Sequence, residues 1–113
     1  MNESILTTIK GLLGITEEYS HFDNQIIAYI NTVWMTLYQI GVGKKDFSIT
    51  SDEQQWTDFL GKSKKLEAVK TYVYLKVKLV FDPPQSASVQ QALKQQADEL
   101  EWRLNVESET EVN

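Results

Sequence analysis

"KSKKLEAVKTYVYLKVKLVFDPP", residues 62–84, decides the fold because it satisfies two periods at once. Val73, Leu75, Val77, Leu79 and Phe81 alternate with Tyr74, Lys76, Lys78 and Val80, the period of two that a half-buried strand shows. Leu66, Val69, Val73 and Val77, with Val80, also form a helical stripe, and Ala68, Tyr72, Leu75 and Leu79 form a second beside it. The helix is favoured, from Lys64 to Phe81, because its lead-in carries the same period without a break. No other segment offers a strand of matching alternation. A strand over residues 71–81 is the competing expectation. Pro83 and Pro84 force the end of a helix here, since proline disfavours helical geometry in the residue before it and has no N–H to donate.

Beyond the prolines, Ser86 or Ser88 is a suitable cap for a last helix, with Val89, Leu93, Ala97, Leu100 and Leu104 as its buried stripe. Gln90, Gln91, Gln95, Asp98 and Glu101 lie largely outside that stripe. The closing "VESETEVN" is too polar and charged to fold on its own, so residues 106–113 are expected to be a flexible acidic tail on a single domain of residues 1–105.

Upstream, residues 4–13 read as a short helix capped by Ser4, with Ile5, Ile9, Leu12 and Leu13 on one face and Gly14 at its end. Ser20, three residues before Asp23, suits the start of a second helix. Ile26, Tyr29, Ile30, Val33, Leu37 and Ile40 give that helix one stripe, and Ile27, Trp34 and Tyr38 a second. Gly41 ends it and opens the longest irregular stretch, with a short extended piece expected at residues 47–49. Ser51 or Asp52 then caps a short helix through Trp56, Phe59 and Leu60 to Gly61. The expected fold is all-α: a small bundle of four to five helices with one long loop and the acidic tail.

The 113 residues suit one domain with one modest core. The longest apolar runs fall far short of the ~20 residues of a membrane span. The start of the chain lacks the basic and apolar pattern of a secretory signal, which points to synthesis in the cytoplasm. There is no cysteine for a disulfide, a thiolate metal site or a thiol nucleophile. The net charge of -5 speaks against a general nucleic-acid binder. Its distribution is uneven: residues 1–43 carry one lysine against four acids, residues 44–78 eight lysines against five acids, and residues 79–113 two basic residues against seven acids. Solvated surface accounts for such a pattern; the sharper reading is contact between the basic middle of one copy and the acidic end of another.

A search for chemistry returns little. His21 is the sole histidine and has no cysteine or second histidine to share a metal or activate a nucleophile. "GKS" at residues 61–63 imitates the end of a phosphate-binding loop, but the motif requires a glycine where Trp56 stands and a strand where a short helix is expected. Glu17 with Glu18, and Glu99 with Glu101, have no expected enclosure that would tune them for acid–base work. No catalytic residue, metal or cofactor is expected. Trp34, Trp56 and Tyr72 read as core. Trp102 stands off the last helix's stripe and beside Arg103, a pairing enriched at protein interfaces.

"INTVWMTLYQIGVG" at residues 30–43, "QQWTDFL" around Trp56, "VKTYVYLKVKLVFDPP" at 69–84 and "ELEWRLN" at 99–105 closely resemble the head–tail connector (adaptor) proteins of long-tailed bacteriophages, some of them labelled as DNA packaging proteins. No one motif is chemically diagnostic; the four blocks in order carry the resemblance. It implies a small helical, non-enzymatic virion subunit that assembles as a ring of twelve under the portal protein, extends the DNA channel, and offers a surface to the stopper or tail-completion protein. It also implies that genomic DNA passes without sequence-specific binding and that the isolated chain can be monomeric. No catalytic residues carry over. The residues expected at interfaces are Trp102, Arg103 and Glu101 on the last helix, and Lys44 and Lys45 on the glycine-rich loop. The rival reading is a small helical DNA-binding regulator using the lysines between residues 62 and 78, weakened by the absence of arginine there and of a helix-turn-helix pattern.

Overall fold

The stretch with two periods is a helix. The computed structural model describes residues 3–111, and over them the chain forms α1 (Ile5–Leu12), α2 (Asp23–Gln39), α3 (Trp56–Leu60), α4 (Leu66–Phe81) and α5 (Ala87–Glu111), with no strand among the described residues. α4 lies at the centre, packed against α1, α2 and α5. This is why its sequence imitates a strand: Val69, Tyr72, Val73, Leu75 and Val77 are all buried, on more than one side of the helix. Burying such a side chain contributes about 1.5–3 kcal/mol, whereas a β-branched residue costs a helix under about 0.7 kcal/mol in propensity. Packing on three neighbours therefore overrides the local preference of the valines. Val80, assigned to the first stripe, is 58 % exposed, because no helix covers that side near the end of α4.

The N-terminal strip and α3 are stitched together. Ile5 N donates to Gln54 O at 3.0 Å and Trp56 N to Glu3 O at 3.1 Å. The Trp56 indole N–H donates to Thr8 Oγ1 at 3.1 Å, which orients a ring buried to 1 % exposure. Ser4 caps α1 as expected, its hydroxyl accepting from Thr7 N. Trp34, Phe47, Trp56 and Phe59 form one aromatic cluster, with Trp34 and Phe59 centroids 4.3 Å apart.

Other details depart from expectation. α2 has no side-chain cap: Phe22 stands at its N-cap, and Ser20 contributes its carbonyl to Asp23 N. The Asp23 carboxylate instead holds the Lys10 ammonium at 2.9 Å. α3 begins later than predicted, after Gln55, whose N–H donates to Asp58 Oδ2 at 2.8 Å; Ser51 makes a local turn by accepting from Glu53 N. The extended piece at residues 47–49 pairs with a side chain and not with a strand. Asn31 Oδ1 accepts from Ile49 N at 2.8 Å, and its Nδ2 donates to Ile49 O at 2.9 Å. The expected tail meets a helix that continues through Glu111, so the backbone of residues 106–111 is helical; residues 112 and 113 lie outside the described residues.

Candidate functional site

α5 reaches the bundle through Ala97 and Leu104, both buried, with Leu93 one turn before Ala97 and Leu100 between the two half-buried. Val89, predicted for that stripe, is 46 % exposed. At the other end, Asn105 Nδ2 donates to Ile40 O at 3.3 Å and ties α5 to the close of α2. These contacts fix which way the next residues face.

Trp102 is 66 % exposed, above a shallow cleft that it lines with Ile40, Asp98, Glu101 and Asn105. Arg103 is also exposed, its guanidinium 3.1 Å from Glu99 one turn back. Glu101 differs from its neighbours. It is half-buried and accepts the Tyr72 hydroxyl at 2.6 Å, so a residue expected to serve an interface also holds α5 to α4. Burial first, then that hydrogen bond and the charges of Glu101 and Asp98, push the Tyr72 hydroxyl well above the ordinary tyrosine pKa.

Lys44 and Lys45 are exposed at the tip of a loop whose two flanks are anchored by the buried Val42 and Ile49. Lys44 borders a hollow walled by Asn31, Trp34, Met35, Tyr38, Asp46 and Phe47. The five expected interface residues thus divide into two groups, Glu101 to Arg103 on α5 and the lysine pair on the loop, on hollows that flank the end of α2 through Ile40 and Tyr38.

Met35, 68 % exposed, and Tyr38, 45 % exposed, belong to this surface; Tyr38 was read on the second stripe of α2, whereas Met35 escaped the sequence reading. A signal existed: Met35 lies four residues after Asn31 and three before Tyr38, so the three share a helix face that the buried positions 26, 30, 33 and 37 leave free.

Three of the eight lysines in the basic middle of the chain are engaged in holding the fold. Lys65 and Lys70 are buried, Lys70 pairs with Glu3 and Glu67, and Lys78 pairs with Asp82 at 2.8 Å. For Lys70, burial would lower the pKa, but the hydrogen bond to Glu3 and the charges of Glu3 and Glu67 outweigh it and raise the value. His21 is exposed, its ring edge-on to Phe22. No cluster of metal-ligating side chains occurs among the described residues, and no helix among them is long and apolar enough to cross a membrane. "GKS" follows the helix α3 and not a strand.

No curated protein and no solved structure matches the chain. A family model described as "phage connector protein" matches residues 5–111, nearly the whole chain and all five helices. The chain therefore belongs to the phage connector protein family, and its role is that of a structural component of the phage particle.

Proposed function

We propose that the chain is a head–tail connector subunit that assembles as a ring, of twelve copies in the virion, beneath the portal protein. The ring extends the DNA channel and presents a docking surface to the stopper or tail-completion protein. Genomic DNA passes through it without sequence-specific contacts. One observation supports this reading above the others: large apolar side chains stand outside a complete core around the end of α2 and along α5, with Trp102 and Met35 each about two-thirds exposed. Such residues contribute most when a partner buries them. In this reading Trp102, Arg103 and Glu101 meet a neighbouring subunit or the portal, and the loop tip with Lys44 and Lys45 points to the channel or to the adjacent protein. The segment after Asn105 takes part in the same assembly.

The DNA-binding regulator has less to stand on, because Lys65, Lys70 and Lys78 are buried or paired within the fold. Electron microscopy of the chain mixed with its cognate portal tests the proposal. Rings seated on the portal are expected. Undecorated portals, together with a salt-sensitive mobility shift on DNA, would favour the regulator.

A further inference from the structure

A second surface lies between α4 and α5, away from Trp102. It is a groove walled by Lys76, Leu79, Val80, Gln90 and Lys94. Gln90 fixes its α5 wall by donating to Pro84 O at 2.6 Å. Its apolar part comes from Leu79 and Val80, the latter 58 % exposed. Its two charges are both positive, and neither lysine has a carboxylate partner among the described residues, where Lys10, Lys70, Lys78 and Arg103 all do. Lys76 lies 6.0 Å from the Tyr72 ring centroid, a contact that leaves its charge uncompensated.

The chain carries a segment of complementary chemistry. Residues 106–113, "VESETEVN", alternate Glu107, Glu109 and Glu111 with small polar residues and are bounded by Val106 and Val112. The backbone of residues 107–111 lies too far along α5 to bring these acids to the groove of their own molecule. Lys94 and Glu107 sit on the one continuous helix α5, thirteen residues apart, which at ~1.5 Å per residue sets them roughly 20 Å apart along its axis. Glu109 and Glu111 lie further on. The acids and the lysines can meet only between molecules.

We propose that the α4–α5 groove receives the acidic end of α5 from a second copy of the chain, the glutamates pairing with Lys76 and Lys94 and a valine covering Val80. The contact is heterologous, with different surfaces on the two copies, so it repeats from copy to copy and closes if the rotation between copies allows. It deepens the ring-assembly reading and rests on it.

The lack of cysteine makes the test clean. Two single-cysteine variants, Val80→Cys and Glu109→Cys, are mixed in equal amounts with a short bismaleimide cross-linker. The mixture is treated on the cognate portal and also alone at high concentration and low salt. Mixed dimers holding one chain of each kind are expected. Lys76→Glu with Lys94→Glu in the Val80→Cys chain should cut their yield more than about tenfold, because it sets like charges against each other. Glu107→Lys with Glu111→Lys in the partner should restore it. Rings on the portal without mixed dimers would overturn the inference and leave the ring proposal standing. A Val80→Cys cross-link to the portal would assign the groove to that protein instead. Undecorated portals would overturn the ring proposal; mixed dimers from the chain alone would then still support the groove contact, and their absence there would remove it as well.

Discussion

Gly43 shows how a single position holds the long loop in place. Its φ is +86°, a region that side chains other than glycine rarely adopt, and a Cβ at this site would run into the Phe59 ring. That ring is packed on Trp34 and Phe47 and has little room to yield. Gly43→Ala is expected to destabilise the chain by roughly 2–4 kcal/mol, combining the left-handed penalty with an overpacked aromatic cluster. Urea unfolding checks it, and a change below about 1 kcal/mol would mean that the loop is not pinned at Phe59. Tyr72 links stability to alkaline pH. Its folded pKa is raised above the unfolded value of about 10. Above that pH the unfolded chain releases a proton that the folded chain keeps, so the contribution to stability is full below pH ~10 and is lost as pH rises toward the folded pKa. Tyr72→Phe should cost about 1–2 kcal/mol at neutral pH, for the hydrogen bond to Glu101, and should flatten the loss of stability above pH 10. An unchanged alkaline slope would show that Tyr72 does not carry this effect.

At the scale of elements, α1 and α2 are joined through a buried charge. Lys10 is 3 % exposed, donates to Glu17 O at 2.9 Å and holds Asp23 at 2.9 Å, so one ammonium fixes both the intervening turn and the first residue of α2. Lys10→Met keeps the apolar stem but strands the carboxylate. A loss of roughly 2–4 kcal/mol in thermal or denaturant unfolding is expected, less than for a fully buried pair because Asp23 is partly exposed. Lys10 and Asp23 also mark where the sequence stopped being legible. Helix periods, the proline corner and the glycine stops belong to segments and could be read directly, and they gave the five helices in order. Lys10, counted only as a charge, and the Ser20 cap that proved to be a carbonyl depend on what the fold brings within 3 Å. The same holds for Asn31, whose amide replaces a strand partner for Ile49, and for Glu101, whose bond to Tyr72 spans 29 positions. In the site, Trp102 was legible because it broke a stripe. The α4–α5 groove was not, because Val80 fitted a buried pattern that no neighbouring helix completes.

For the molecule as a whole, Trp102 separates folding from assembly. The side chain is 66 % exposed in the subunit, so Trp102→Ala should leave the circular dichroism unchanged and alter stability by no more than about 0.5 kcal/mol. If a partner buries the ring, the same change removes a contact of the kind worth 2 kcal/mol or more, which corresponds to roughly a thirtyfold rise in the concentration needed to decorate portals. Arg103→Ala should matter less, since its pairing with Glu99 is exposed on both sides and contributes only a few tenths of a kcal/mol. Truncation after Asn105 should preserve stability and weaken assembly by a part that shrinks as salt is raised, because the segment removed brings three of the acids. Glu101→Gln is a poor probe on its own, as it also loosens α5 from Tyr72. The measurement is portal decoration against concentration, by electron microscopy at fixed salt, beside thermal unfolding of each variant. Should Trp102→Ala decorate portals at the concentration of the unaltered chain, the ring is not an assembly contact and the hollow around Met35 and Tyr38 becomes the surface to mutate. Should it instead unfold at markedly lower temperature, Trp102 is a residue of the fold, and the assembly contact lies elsewhere than on the exposed face of α5.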